Sequence, residues 1–176
     1  MASGRSTFRV LGVDPGLNIT GYAAMDFAGG DGVIVEAGAI RTTPDAPITR
    51  RIEQIHADLA DLLAELTPDR VAVEKLYAHY NHPRTSILMA HARGVILLAA
   101  QQAAVGVVDL AATEVKKSLT GNGHASKGQI QRAIRTLCHL DAVPEPPDVA
   151  DAMAIALCAG RHLGRDRRDA AVGTRP

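Results

Sequence analysis

Short apolar runs closed by turn residues alternate along this chain with longer segments whose apolar positions recur every three or four residues. Phe8–Asp14 (FRVLGVD) is largely apolar and is followed by Pro15-Gly16, the pattern of a buried central strand. Residues 21–27 and 33–41 predict two more strands, and the Gly-Gly-Asp-Gly turn between them predicts an antiparallel hairpin. From Pro47 onward, Ile48, Ile52, Ile55, Leu59, Leu62 and Leu66 alternate steps of four and three, which makes an amphipathic helix that stops before Pro68. Residues 70–75 (RVAVEK) form another short apolar strand with a carboxylate near its end. Residues 84–104 are helical in character, and Ala90 and Gly94, four apart, let another helix approach closely. A strand over 105–110 follows, then helices over 113–119 and 127–140 separated by the Gly121-Asn122-Gly123 break. After a loop with Pro144, Pro146 and Pro147, a last helix spans 148–162. Three meander strands followed by alternating helix and strand predict an α/β architecture, a mixed sheet covered by helices.

The composition, 47% hydrophobic and 22% charged over 176 residues, fits one globular domain with enough apolar material for a sizeable core. Cys138 and Cys158 lie far apart without CxxC spacing, so neither a disulfide framework nor a zinc site is indicated, and a reducing cytoplasm is expected. The opening MASGRSTFRV has no apolar signal core, and no apolar run approaches the ~18 residues of a membrane helix, so neither secretion nor membrane insertion is expected. Nineteen basic residues balance nineteen acidic ones, so a nucleic-acid partner must be argued from where charges sit. Residues 1–7 are expected to be a disordered N-terminus, and 163–176, rich in Arg, Asp and Gly, a flexible basic tail.

The acids fall where a fold does not need them. Asp14 ends an apolar strand and Glu74 ends another, so both carboxylates belong at the rim of the sheet, although Asp before Pro-Gly is also good turn chemistry. Asp148 and Asp151, three apart in the last helix, share a face that continues through Ile155 and Cys158 toward the core. An acid just after Pro147 suits a helix N-terminus; Asp151 is harder to explain as a cap. Two carboxylates heading an apolar stripe are costly to bury without compensating positive charge. Acids on rigid elements are the hard oxygen ligands that Mg²⁺ takes, and two such ions about 4 Å apart serve in-line phosphodiester hydrolysis.

In order and spacing, VLGVDPG (residues 10–16), Thr20-Gly21-Tyr22, AVEKLY (72–77), Ala92-Arg93-Gly94 and DVADAMAI (148–155) resemble the motifs of the RuvC family of Holliday-junction resolvases. The likeness covers nearly the whole chain apart from the first residues and the tail. It implies a ribonuclease-H-like mixed sheet flanked by helices over residues 8–162, a homodimer, two Mg²⁺ or Mn²⁺ ions per active site and paired nicking of four-way DNA junctions in recombination and repair. RuvA and RuvB branch-migration proteins are the partners it implies. Carried over by motif, the metal-binding catalytic acids are Asp14, Glu74, Asp148 and Asp151, and the basic residues near the scissile phosphate are Lys116 (TEVKKS) and Lys127 (HASKGQ). Residues 121–128 are not a phosphate-binding P-loop, which needs Gly where Ser126 stands and Ser or Thr where Gly128 stands.

Lys75, Tyr77, His79, Tyr80, His82 and Arg84 cluster after Glu74. Cations that hold phosphate and rings that stack on unpaired bases are the tools of nucleic-acid grip, so Lys75, Tyr77, Tyr80, His82 and Arg84 are candidate DNA contacts, with Tyr77 matching the family's aromatic. Tyrosines packing over a loop are the plainer alternative. An ATPase of the actin and hexokinase kind also carries Asp-x-Gly after a first strand, but it pairs two lobes and leaves Asp148 and Asp151 unexplained. A junction-binding module without chemistry would have no use for four intact acids.

Overall fold

The computed structural model describes residues 7–28, 32–77 and 83–173. Strands β1 (Phe8–Asp14), β2 (Ile19–Phe27) and β3 (Val33–Arg41) form the expected antiparallel meander. After helix α1 (Ile48–Leu66), β4 (Arg70–Glu74) returns parallel to β1, and after α2 (Pro83–Gln102), β5 (Gly106–Leu110) adds parallel to β4. The sheet order is β3-β2-β1-β4-β5. Helices α3 (Ala112–Thr120), α4 (Lys127–Leu137) and α5 (Pro147–Gly173) complete the chain.

Central strands buried on both faces explain the near-continuous apolar runs. Along β1, Leu11 and Val13 join Val71 and Val73 of β4 in a core with α1 and α2. Phe8 and Val10 join Met25, Ala72 and the apolar face of α5 in a second core on the other side. Of the α1 stripe predicted from spacing, Ile55, Leu59 and Leu66 are nearly inaccessible, as is Leu63, which the spacing did not include, each contributing roughly 2 kcal/mol. Ile52 and Leu62 are partly buried against the first core, and Ile48 is exposed. Thr67 then turns left-handed and returns its N–H to the Leu63 carbonyl, ending the helix ahead of Pro68. Helix α4 starts on a reciprocal cap, with Ser126 N–H on the Gln129 side chain and Gln129 N–H on the Ser126 hydroxyl.

Helix α5 does not stop at His162. Residues 163–173, expected from composition to be a flexible tail, are helical, which corrects that expectation. The reason lies in contacts distant in sequence: Leu163 packs on the α5-side core, and the Arg167 guanidinium sits 4.2 Å over the Phe8 ring at the start of β1. Among the described residues, no helix is long and apolar enough to cross a membrane.

Candidate active site

Strand alternation decides where the two strand-end acids point. Val10 and Ala72 face α5, so Asp14, four residues after Val10, and Glu74, two after Ala72, fall on that same face. Because β1 and β4 are parallel neighbours, both acids also emerge at the same edge of the sheet. Backbone contact then brings the first turns of α5 onto them. A Cβ on Gly12 would overlap the Ala152 carbonyl oxygen, and one on Gly21, which pairs with Asp14, would overlap the carbonyl of Asp148. Only glycine at these strand positions lets the helix lie this close.

The result is a crowd of negative charge. The Asp14 carboxyl is pushed up to about 7, first by burial and then by the charges of Asp151, Glu74 and Asp148, with Lys127 partly offsetting them. Burial and Asp151 also raise Glu74, against the opposing pull of Lys116. Lys127 places its Nζ 2.8 Å from Asp151 Oδ2, and this hydrogen bond, with the neighbouring acids, raises the lysine above its ordinary range.

A cleft of about 330 Å³ opens between these groups, lined by Asp14, Glu74, Asp151, Lys116, Lys127 and the apolar side chains of Met89, Val115 and Ile130 among others. Five of the residues singled out from sequence thus share one cavity. Asp148 is half-buried in the first turn of α5, beside the cleft and not lining it. Lys75 and Tyr77 are exposed on the stretch leaving β4, with Tyr77 58% accessible, and Arg84 is exposed in the first turn of α2. Tyr80 and His82 lie outside the described residues.

As the side chains stand, no three Asp, Glu, His or Cys among the described residues converge tightly enough to hold an ion. The donor set nevertheless suits a hard divalent cation. Asp14 is a largely buried carboxylate beside three other acids, and its charged form needs more positive charge than Lys127 alone supplies.

Sequence reasoning did not single out Arg51, which braces the segment after Asp14. Arg51 donates to the Thr42 hydroxyl at 2.9 Å and to the side chain of Asn18, while Thr42 Oγ1 donates to the Leu17 carbonyl at 2.6 Å. A signal was present: Arg51 stands four residues before Ile55 on the stripe that α1 buries. Met89 and the contacts of Arg93 were also missed. Arg93 donates to the Glu74 carbonyl at 3.2 Å and pairs with Asp109.

A mixed 3-2-1-4-5 sheet with acids at the ends of two central strands and at the head of the covering helix defines a ribonuclease-H-like protein of the nuclease type. A family model described as crossover junction endodeoxyribonuclease RuvC matches residues 10–159. The chain belongs to that family. RuvC of Rhodopirellula baltica is 48% identical over 163 residues, 93% of this chain and 91% of that protein. RuvC of Pelotomaculum thermopropionicum is 38% identical over 159 residues, 90% of this chain and 96% of that one. Thermus thermophilus RuvC, solved in complex with a Holliday junction substrate, matches with a TM-score of 0.83 and 30% identity, over 90% of this chain and 96% of that one.

Proposed function

We infer that this chain is an endonuclease that resolves four-way DNA junctions by divalent-metal-dependent hydrolysis of phosphodiester bonds, acting as a two-fold dimer. The observation that carries the reading is the cleft at the ends of β1 and β4, where Asp14, Glu74 and Asp151 line one cavity with Lys116 and Lys127, and where the Asp14 carboxyl is pushed up to about 7, first by burial and then by Asp151, Glu74 and Asp148. Asp14, Glu74, Asp148 and Asp151 are the residues that would hold the metal. Bound there, divalent ions polarise a phosphate and lower the pKa of an attacking water. Lys127 holds its ammonium against Asp151 and can turn to a phosphate once that carboxylate is otherwise compensated. Lys116 lines the same cleft from α3 and can stabilise charge developing on the phosphate oxygens. Tyr77, exposed three residues after Glu74, presents a ring for stacking on an unpaired base, with Lys75 and Arg84 exposed nearby in sequence for phosphate contact.

The dimer reading rests on α2. Its buried side, Ala92, Ile96, Ala99 and Ala100, faces the α1 core. Its outer side shows Ile87 (58% accessible), Ala90, Gly94 and Leu98 (49%) at helical spacing, and a Cβ on Gly94 would meet nothing within 4 Å. Such a stripe suits close contact with the same helix of a second copy, which would give two sites related by a two-fold axis. Association with the RuvA and RuvB branch-migration proteins follows from the family alone, and no surface here is assigned to it.

Nicking of a synthetic four-way junction, compared with linear duplex of the same sequence in Mg²⁺ and in EDTA, tests the activity. Paired nicks in Mg²⁺ on the junction only, lost in Glu74→Gln with junction binding retained in Ca²⁺, are expected. Metal-independent nicking, or equal cleavage of the duplex, would refute it. For the dimer, Gly94→Arg is expected to halve the mass in solution, and an undiminished dimer would refute the α2 interface.

A further inference from the structure

The Ala92-Arg93-Gly94 motif has no role in the chemistry above, yet Arg93 reaches the backbone of a residue that does. Glu74 is the last residue of β4 and extends past the ladder with β1, which ends at the Val13–Val73 pair. On the other flank, Glu74 is in register with Leu110 of β5, and the Lys75 N–H bonds to the Leu110 carbonyl at 2.8 Å. A trans peptide points its C=O away from its N–H, so the Glu74 carbonyl faces away from β5, where pairing with β1 has stopped. The Arg93 Nε donates to this carbonyl at 3.2 Å, and Nη2 of the same guanidinium pairs with Asp109 on β5.

We propose that Arg93 is a positioning residue for Glu74: its guanidinium, aimed by Asp109, fixes the end of β4 and so the direction in which the Glu74 carboxylate enters the metal site. The proposal rests on the reading of Glu74 as a metal ligand. A planar guanidinium offers several N–H groups in a fixed fork and can serve carbonyl and carboxylate together, whereas an ammonium is a single point that cannot hold both in that geometry. The Arg93–Asp109 pair is itself partly exposed, 20% and 45% by side chain, and pairs of that kind add little to stability. What the contact governs is therefore the geometry of the strand end. Groups that orient a metal ligand without touching the metal typically alter metal affinity 10- to 100-fold when changed.

The test compares Arg93→Lys, Asp109→Asn and Glu74→Gln with the wild type in three measurements. These are Mn²⁺ binding to the protein without DNA by calorimetry, single-turnover junction nicking against Mg²⁺ concentration, and junction binding in Ca²⁺. Arg93→Lys should weaken Mn²⁺ binding about tenfold and raise the Mg²⁺ needed for half-maximal nicking by a similar factor. Its rate at saturating Mg²⁺ should recover toward wild type, with junction binding unchanged. Asp109→Asn should shift both in the same direction by less, since Arg93 keeps the carbonyl but loses its aim. Unchanged Mn²⁺ affinity in Arg93→Lys would overturn the proposal. So would a loss confined to junction binding, which would make Arg93 a phosphate contact. If Arg93→Lys does not fold, Asp109→Asn decides: a shift in Mn²⁺ affinity supports the proposal and none overturns it. Wild-type nicking by Glu74→Gln would instead defeat the reading of Glu74, an outcome separate from silent Arg93 and Asp109 variants beside a dead Glu74→Gln.

Discussion

Replacing Asp14 by Asn should make the metal-free protein more stable while abolishing cleavage. In the fold, the Asp14 carboxyl titrates at about 7 against an ordinary 3.8, a difference of roughly 3 units, and at about 1.4 kcal/mol per unit this is roughly 4 kcal/mol. The sign follows from proton counting. Between pH 3.8 and about 7 the folded chain keeps a proton that the unfolded chain has released, so stability falls as pH rises through that window, and the full penalty stands above it. Asparagine carries no charge and so removes the penalty. Water reaching the cleft screens part of it, so a gain of at least about 1 kcal/mol is expected at pH 8, or about 2–4 °C in thermal midpoint for a domain of this size. The gain should shrink toward zero as pH approaches 4. Thermal unfolding by circular dichroism in EDTA across that range reads it directly. With millimolar Mg²⁺ the wild type should climb, because a ligand that binds only the folded state stabilises it, while Asp14→Asn should respond weakly. An Asp14→Asn variant no more stable than wild type at pH 8 in EDTA would refute the charge crowding inferred at this site, and one that still cleaves would refute the role of Asp14.

Lys127→Ala and Lys116→Ala should each slow single-turnover nicking about tenfold or more at saturating enzyme, and full rates in both would make them surface charges only. In metal-free buffer, Lys127→Ala should also lower stability near neutral pH, since it removes the cation on Asp151 and one that offsets Asp14; unfolding in EDTA checks this. Gly21→Ala should cost roughly 1–3 kcal/mol, because its methyl overlaps the Asp148 carbonyl, and should depress nicking along with stability, as denaturant unfolding and single-turnover assays would show. Tyr77→Phe should nick normally while Tyr77→Ala is slowed, since stacking at roughly 1–3 kcal/mol per base depends on the ring and not the hydroxyl; equal rates would leave Tyr77 with no part in cleavage.

Most of the sheet was legible because apolar runs such as FRVLGVD and RVAVE are short, bounded by turn residues and too continuous for a half-exposed strand. The grouping of acids was legible for a related reason: Asp14 and Glu74 interrupt those runs where no burial pattern calls for charge. What remained hidden depends on partners far away in sequence. The continuation of α5 to Gly173 is supported by Arg167 over Phe8 and by Leu163 on the core, contacts that no local periodicity records. The same holds for Arg93, whose carbonyl acceptor lies nineteen residues earlier at the end of a strand. Ala90 and Gly94, whose spacing predicted the close approach of another helix, face outward, because α1 packs against Ala92 and Ile96 instead.

The glycines beneath α5 act as an end-stop. Where Gly12 and Gly21 meet the helix backbone there is no side chain to shrink and no cavity to collapse, so substitutions in the surrounding core cannot draw Asp148 and Asp151 any closer to Asp14. Movement is possible in one direction only. Loosening the core lets the helix lift away and widens the spacing between the backbones that carry the acids, whereas nothing short of rebuilding the strands narrows that backbone spacing. Variation elsewhere in the protein can therefore detune this site by opening it, but the closest approach of the backbones that carry its acids is set by two main chains in contact.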